Sequence, residues 1–318
     1  MRVDPVIAAL RGDPAPQRRA QAAMVIACDA WRAEPGIAPV LADFERYGGG
    51  AALGDCPDLA RLFAPGEAAG HFADAFCRRF GEAIASQPFG QLPFRHSFDG
   101  ALATLLLARA GTAQLTLVAR EPGRYQTTSA TFSDAERHDA IVAGAARARA
   151  TRRLRDGTFI QREVGLATGL RLELDLSREA LFVTDVERRL VTLRLHRAAP
   201  RPAPAREYAL ADGALIRQAA GAIRDSRYEV MLALLGRMKR HDAAPLMAEI
   251  VSEERADSLR WEALREAFAL DTAVGFAAPC RVARSPLDSL AAPAGALRAQ
   301  LIEAHPQLRA FEENQCRA

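Results

Sequence analysis

Between Gly169 and Leu176 the chain alternates Leu170, Leu172, Leu174 and Leu176 with Arg171, Glu173 and Asp175. Side chains of an extended strand point to opposite faces at each step, so only a strand gathers those leucines on one side and the charges on the other. An all-helical fold is thereby excluded. Leu190 to His196 repeats the scheme, with Leu193 and Leu195 opposed to Arg194 and His196, and Ala180 to Thr184 supplies a further strand between them. Upstream, Thr104–Leu107 and Gln114–Ala119 flank Arg109-Ala110-Gly111-Thr112, which predicts a hairpin with a glycine in its turn. Short strands at such spacing predict an antiparallel β-sandwich of jelly-roll type over residues 91–199.

On either side the period lengthens to that of a helix. In residues 1–90, apolar residues recur at three- and four-residue intervals between breaks at Pro35-Gly36, Gly48-Gly49-Gly50 and Pro65-Gly66. Phe72, Phe76 and Phe80 lie four apart and share one face of a helix over Gly66 to Ile84. Pro200, Pro202 and Pro204 can join neither a central strand nor a helix interior, so they mark an extended boundary. Residues 200–318 then read as helices over Ser226–Arg240, Asp242–Glu254, Ser258–Leu270, Thr272–Ala283 and Leu290–Ala304, with Asp225 or Ser226, His241-Asp242 and Asp257-Ser258 as caps and turns. The fold class is therefore α+β: a helical N-terminal segment, an antiparallel β-rich middle and C-terminal helical hairpins. Ser133 to Arg155 carries both signals. A capping box, Ser133-Asp134-Ala135-Glu136, and a run of alanines predict a short helical turn, after which the alternating arginines predict a strand.

Composition narrows the chemistry. Arginine and lysine total 42 against 39 acidic residues, a net charge of +3 that is too small to imply a polyanionic partner. Lys239 is the single lysine and sits in no phosphate-loop or Schiff-base context. Five scattered cysteines, Cys28, Cys56, Cys77, Cys280 and Cys316, never form C-x-x-C, which points to a reducing compartment. Cys280 follows Pro279 and precedes Arg281, with no histidine near to activate it. The stretch after Met1-Arg2-Val3-Asp4-Pro5 is broken by Gly12, Pro14 and Pro16 and has no apolar core for a signal peptide or membrane span, so a cytoplasmic location without membrane association is expected. No G-x-S-x-G, G-x-G-x-x-G or H-E-x-x-H is present, so the sequence names neither a catalytic constellation nor a cofactor.

Candidate binding residues come from two patterns. Arg227-Tyr228-Glu229 opens one apolar helical run, and Arg260-Trp261-Glu262 opens another 33 residues later. With Asp242 and Asp271 at the turns, about Ser226 to Pro286 resembles HEAT-type repeats, helical hairpins that stack into a curved solenoid. The resemblance implies a concave surface that binds proteins or nucleic acid, without carrying over any family binding residue; Arg227, Glu229, Arg260, Trp261 and Glu262 are this chain's own candidates for such a surface. The second pattern is Arg147, Arg149, Arg152, Arg153 and Arg155, with no acidic residue between Ala140 and Leu154. Arg147, Arg149 and Arg153 can hold phosphates or carboxylates from one face of a strand. No aromatic residue interleaves to stack on bases, which disfavours nucleic acid.

The β-rich middle is similar to cupin-type jelly rolls, which implies an iron or zinc held by two close histidines, a glutamate and a distant histidine. Here His96, His138 and His196 are far apart in sequence and would have to converge from different strands, with Glu121 or Glu163 as the carboxylate. Three functional expectations follow. The first is a non-enzymatic interaction or regulatory protein that binds a protein partner or a small ligand. The second is a metal-dependent oxygenase or isomerase of the cupin kind acting on a small molecule. The third, less favoured, is nucleic-acid binding through the arginine strip.

Overall fold

A computed structural model describes residues 12–309 of the protein, so the readings made at Met1–Pro5 and at Cys316 lie outside the described residues. Residues up to Pro200, with Tyr208–Ala214, form one compact unit; Arg201–Glu207 and the chain from Leu215 form a second.

The first unit opens with four helices: α1 (Ala15–Arg32), α2 (Ala38–Gly48), α3 (Pro57–Phe63) and α4 (Ala68–Ser86). Prolines occupy the first turns of α1, α2 and α3, where their fixed φ suits the helix and no amide partner is lost. Phe72, Phe76 and Phe80 of α4 surround Trp31 of α1 in edge-on contacts, with ring centroids 5.8, 5.4 and 6.3 Å from the indole.

Nine strands follow in the first unit: β1 (Arg95–Phe98), β2 (Leu102–Ala110), β3 (Ala113–Arg120), β4 (Gly123–Arg124), β5 (Ser129–Phe132), β6 (Ala135–Arg153), β7 (Phe159–Ala167), β8 (Arg171–Asp175) and β9 (Glu179–Ala198). Eight of them form an antiparallel array in the order β1-β2-β3-β9-β6-β7, with β4 on β9 and β8 on β6. The predicted hairpin is β2–β3, and Gly111 carries the positive φ of 53° in its turn. A side chain on Gly111 would strike the Gly48 carbonyl, so the end of α2 approaches the hairpin backbone directly.

The long strands β6 and β9 make the sandwich. The first part of β6 pairs with β8 and with the last part of β9; its second part pairs with β7 and with the first part of β9. Register shifts between Ile141 and Ala148 mark the passage from one half to the other. The two halves enclose Ile141, Ala146, Ala148, Leu166, Val186 and Leu190.

Three expectations change. The helical turn at Ser133 is absent, because residues 135–153 form one 19-residue strand laddered on both sides. The stretches Ala180–Thr184 and Leu190–His196 belong to the single strand β9. The N-terminal helices are also not a separate body. Trp31, Phe44 and Phe72 share one core with Leu115 and Leu117 of β3 and Leu193 and Leu195 of β9, so the chain has no break at residue 90.

The second unit holds α5 (Ile223–Arg237), α6 (Ala244–Ile250), α7 (Asp257–Leu270), α8 (Thr272–Ala283) and α9 (Ala291–Ala304), packed around Leu232, Met247, Leu259, Leu264 and Ala278. Asp271 caps α8, its carboxylate accepting from the Ala273 and Val274 amides. The two tripeptides do not occupy equivalent places. Arg227 is exposed, whereas Arg260 is buried, donating to Asp288 and to the Val251 carbonyl; Tyr228 joins the core, whereas Trp261 is 36% exposed. The equivalence that stacked repeats require is missing.

Candidate functional site

Along β6, Arg137, Asp139 and Ile141 point to one face and His138 and Ala140 to the other. The antiparallel register sets Arg137 opposite His196, Asp139 opposite Arg194 and Ile141 opposite Thr192 of β9. Opposed residues share a face. Leu193, Leu195 and Ala140 lie in the core beneath the helices, so the face bearing Arg137, Asp139, Thr192, Arg194 and His196 looks into the sandwich. A cavity of about 260 Å³ opens there. Arg120 of β3, Tyr125, Thr127, Arg137, Asp139, Thr192 and Arg194 supply its polar lining; Ile141, Leu166, Leu181, Val183 and Leu190 supply apolar lining.

Asp139 is the hub. Its side chain is 2% exposed and takes a bidentate pair from Arg194, Nε to Oδ1 at 2.7 Å and Nη2 to Oδ2 at 3.0 Å. Arg137 Nε lies 3.3 Å from Oδ2. Burial pushes the Asp139 carboxyl up, but the two guanidiniums outweigh it and hold it below the usual carboxylate range. Arg194 loses charge stability to burial and regains more from Asp139, so its net shift is upward. Arg137, with a side chain 12% exposed, is pushed down to about 10 by burial and by the Arg194 charge, and stays protonated at neutral pH. Its Nη2 and Nε are buried and make no hydrogen bond. Arg120 lies 4.7 Å from the Tyr125 ring centroid. Burial, then Arg194 and Arg137, hold His196 below its ordinary pKa, so it is neutral at pH 7.

The three histidines do not come together. His96 sits on β1, its Nδ1 2.9 Å from the Phe94 carbonyl; His138 is buried on the opposite face, 6.0 Å from the Phe63 ring; only His196 shares a face with Arg137 and Arg194, and it does not line the cavity. Glu121 pairs with Arg189, and Glu163 stands opposite Arg149. Among the described residues no three His, Cys, Asp or Glu side chains are placed to hold a metal ion. The inward positions do not fit a divalent cation, because they carry guanidiniums and a carboxylate already engaged by two of them.

Arg147, Arg149 and Arg153 of the other pattern stand at alternate positions of β6, each beside a different neighbour. Arg147 donates to Asp185, Arg149 faces Glu163 across the ladder, and Arg153 lies 4.5 Å over the Tyr208 ring. In the second unit, Glu262 pairs with Arg265, and Glu229 is half-buried. Sequence reasoning missed Arg120, Arg137, Asp139, Thr192 and Arg194. The available signal was the match between Arg137 and Asp139 on one strand and Arg194 and His196 on another, polar residues at alternate positions that the register sets opposite one another.

No family model matches the chain, and no curated protein does. Solved structures with a similar part include vicilin from Capsicum annuum, at 17% identity and a TM-score of 0.28, over 36% of this chain and 33% of that one. A cupin superfamily protein from Desulfitobacterium hafniense gives 12% identity and 0.25, over 32% of this chain and 83% of that one. A sugar phosphate isomerase of the cupin superfamily from Silicibacter pomeroyi gives 13% and 0.25, over 34% and 65%. The chain spans about a third of the length of the vicilin it matches.

Proposed function

We propose that this chain is a non-enzymatic, regulatory ligand-binding protein whose β-sandwich holds a small anion. One observation carries the reading: Arg137 lines a cavity together with Arg194 and Arg120, and its buried Nη2 has no hydrogen-bond partner. A buried donor left unsatisfied costs about 1–3 kcal/mol, and more when charged, and an anion's oxygen would recover that cost. The wall carries three guanidiniums against the single carboxylate of Asp139, so it keeps an excess of positive charge. These groups are suited to holding negative charge rather than to moving protons. The small-ligand half of the expected role is therefore favoured over the metal-dependent enzyme.

The test is thermal unfolding of the wild type and of Arg137→Leu with sulfate, phosphate and a panel of carboxylates. At least one anion should raise the wild-type melting temperature in a saturable way, and the variant should lose that response while still melting cooperatively. An unresponsive wild type, or an equal response from the variant, overturns the reading.

A further inference from the structure

Resting on that anion-binding reading, we infer that the ligand is an amphipathic monocarboxylate with a hydrocarbon body of about six carbons. Two observations beyond the charge lead there. The first is the contrast between the cavity's linings. β3, the first part of β6 and the last part of β9 contribute Arg120, Arg137 and Arg194, whereas β7 and the first part of β9 contribute Leu166, Leu181 and Val183. Leu166, Leu181 and Val183 belong to the same apolar cluster as Ile141 and Leu190, so this side is continuous with the core. An inorganic oxyanion would engage the arginines and leave the leucines facing empty space. A polyhydroxylated anion would press hydroxyls against Leu166 and Leu181 without partners, which is unfavourable. A flat carboxylate matches the guanidinium fork, and a hydrocarbon body matches the leucines.

The second observation is size. A volume of about 260 Å³ equals roughly nine water molecules at about 30 Å³ each. That is room for a carboxylate on a short chain or a single ring, and too little for a long fatty acid.

The experiment is isothermal titration of the full chain with acetate, butanoate, hexanoate, decanoate, hexan-1-ol and inorganic phosphate, repeated on Val183→Thr. Affinity should climb about fourfold per methylene from acetate to hexanoate, then stop rising by decanoate. Hexan-1-ol should bind at least tenfold more weakly than hexanoate. Val183→Thr preserves side-chain shape and should lower the hexanoate-to-acetate affinity ratio several-fold without changing phosphate binding. If phosphate or acetate binds as tightly as hexanoate, or if Val183→Thr leaves the ratio unchanged, this inference falls while anion binding stands. If none of the anions binds, both fall together.

Discussion

Asp139 shows how one carboxylate can decide both stability and selectivity. It neutralises Arg194 through two hydrogen bonds and Arg137 through a looser contact, with the carboxylate itself nearly out of water. Removing one partner of a buried ion pair leaves uncompensated charge and costs about 3–5 kcal/mol. Asp139→Asn should therefore lose about 3 kcal/mol at pH 7, read from urea unfolding, and excess bound anion should restore part of the loss by supplying the missing negative charge. Because Asp139's folded pKa lies below its unfolded value, its contribution is complete above about pH 4 and fades as pH falls through the folded pKa. The gap between the two proteins should close over that acid range. His196 acts with the opposite chemistry and the same sign. Its folded pKa is depressed, so below about pH 6.5 the unfolded chain takes up a proton that the folded chain refuses, and stability falls with pH. His196→Gln should flatten the decline in urea midpoint between pH 7 and pH 5; an unchanged slope would remove His196 from the account.

At the scale of elements, β6 is the strand that its own composition disguises. Its alanines and the capping box at Ser133 favour a helix, but ladder bonds to β7, β8 and β9 satisfy its backbone along its length and override that preference. The leucine alternation of β8 and the phenylalanine stripe of α4 were legible because one face of each is apolar and the other is not. The chamber was not, for a physical reason. Period two in β9 separates Leu193 and Leu195 from Arg194 and His196 but does not say which face is enclosed, and here helices cover the leucine face while a second layer of strands encloses the charged one. The bend that makes this enclosure runs through Gly144, where φ is 95° and an added side chain would meet the Arg189 carbonyl oxygen. Gly144→Ala should cost at least about 2 kcal/mol from the strained backbone and the clash. Gly165→Ala in β7, which meets nothing within 4 Å, should stay within about 0.5 kcal/mol. Paired thermal melts of the two variants check the contrast; equal losses would show that the bend tolerates a side chain.

For the molecule as a whole, the chain combines a helix-covered sandwich and a helical unit with separate cores. The helical character of residues after Leu215 was legible from periodicity and from Asp271 as a cap. The proposed repeat was not a reliable guide, because sequence similarity between Arg227-Tyr228-Glu229 and Arg260-Trp261-Glu262 conceals opposite burial of the two arginines. No helix among the described residues is long and apolar enough to cross a membrane. Every residue lining the chamber belongs to the first unit, and the second contributes none of its wall. This separation is testable through the second unit's own core. Leu259 is 1% exposed and packs within that core, so Leu259→Ala should destabilise it by about 2–4 kcal/mol. Amide exchange should accelerate across α7 and α8, while the anion affinity of the chamber stays within twofold of wild type. A large drop in affinity with Arg137, Asp139 and Arg194 intact would mean that the helical unit governs access to the chamber, and would make that unit the place to look for regulation.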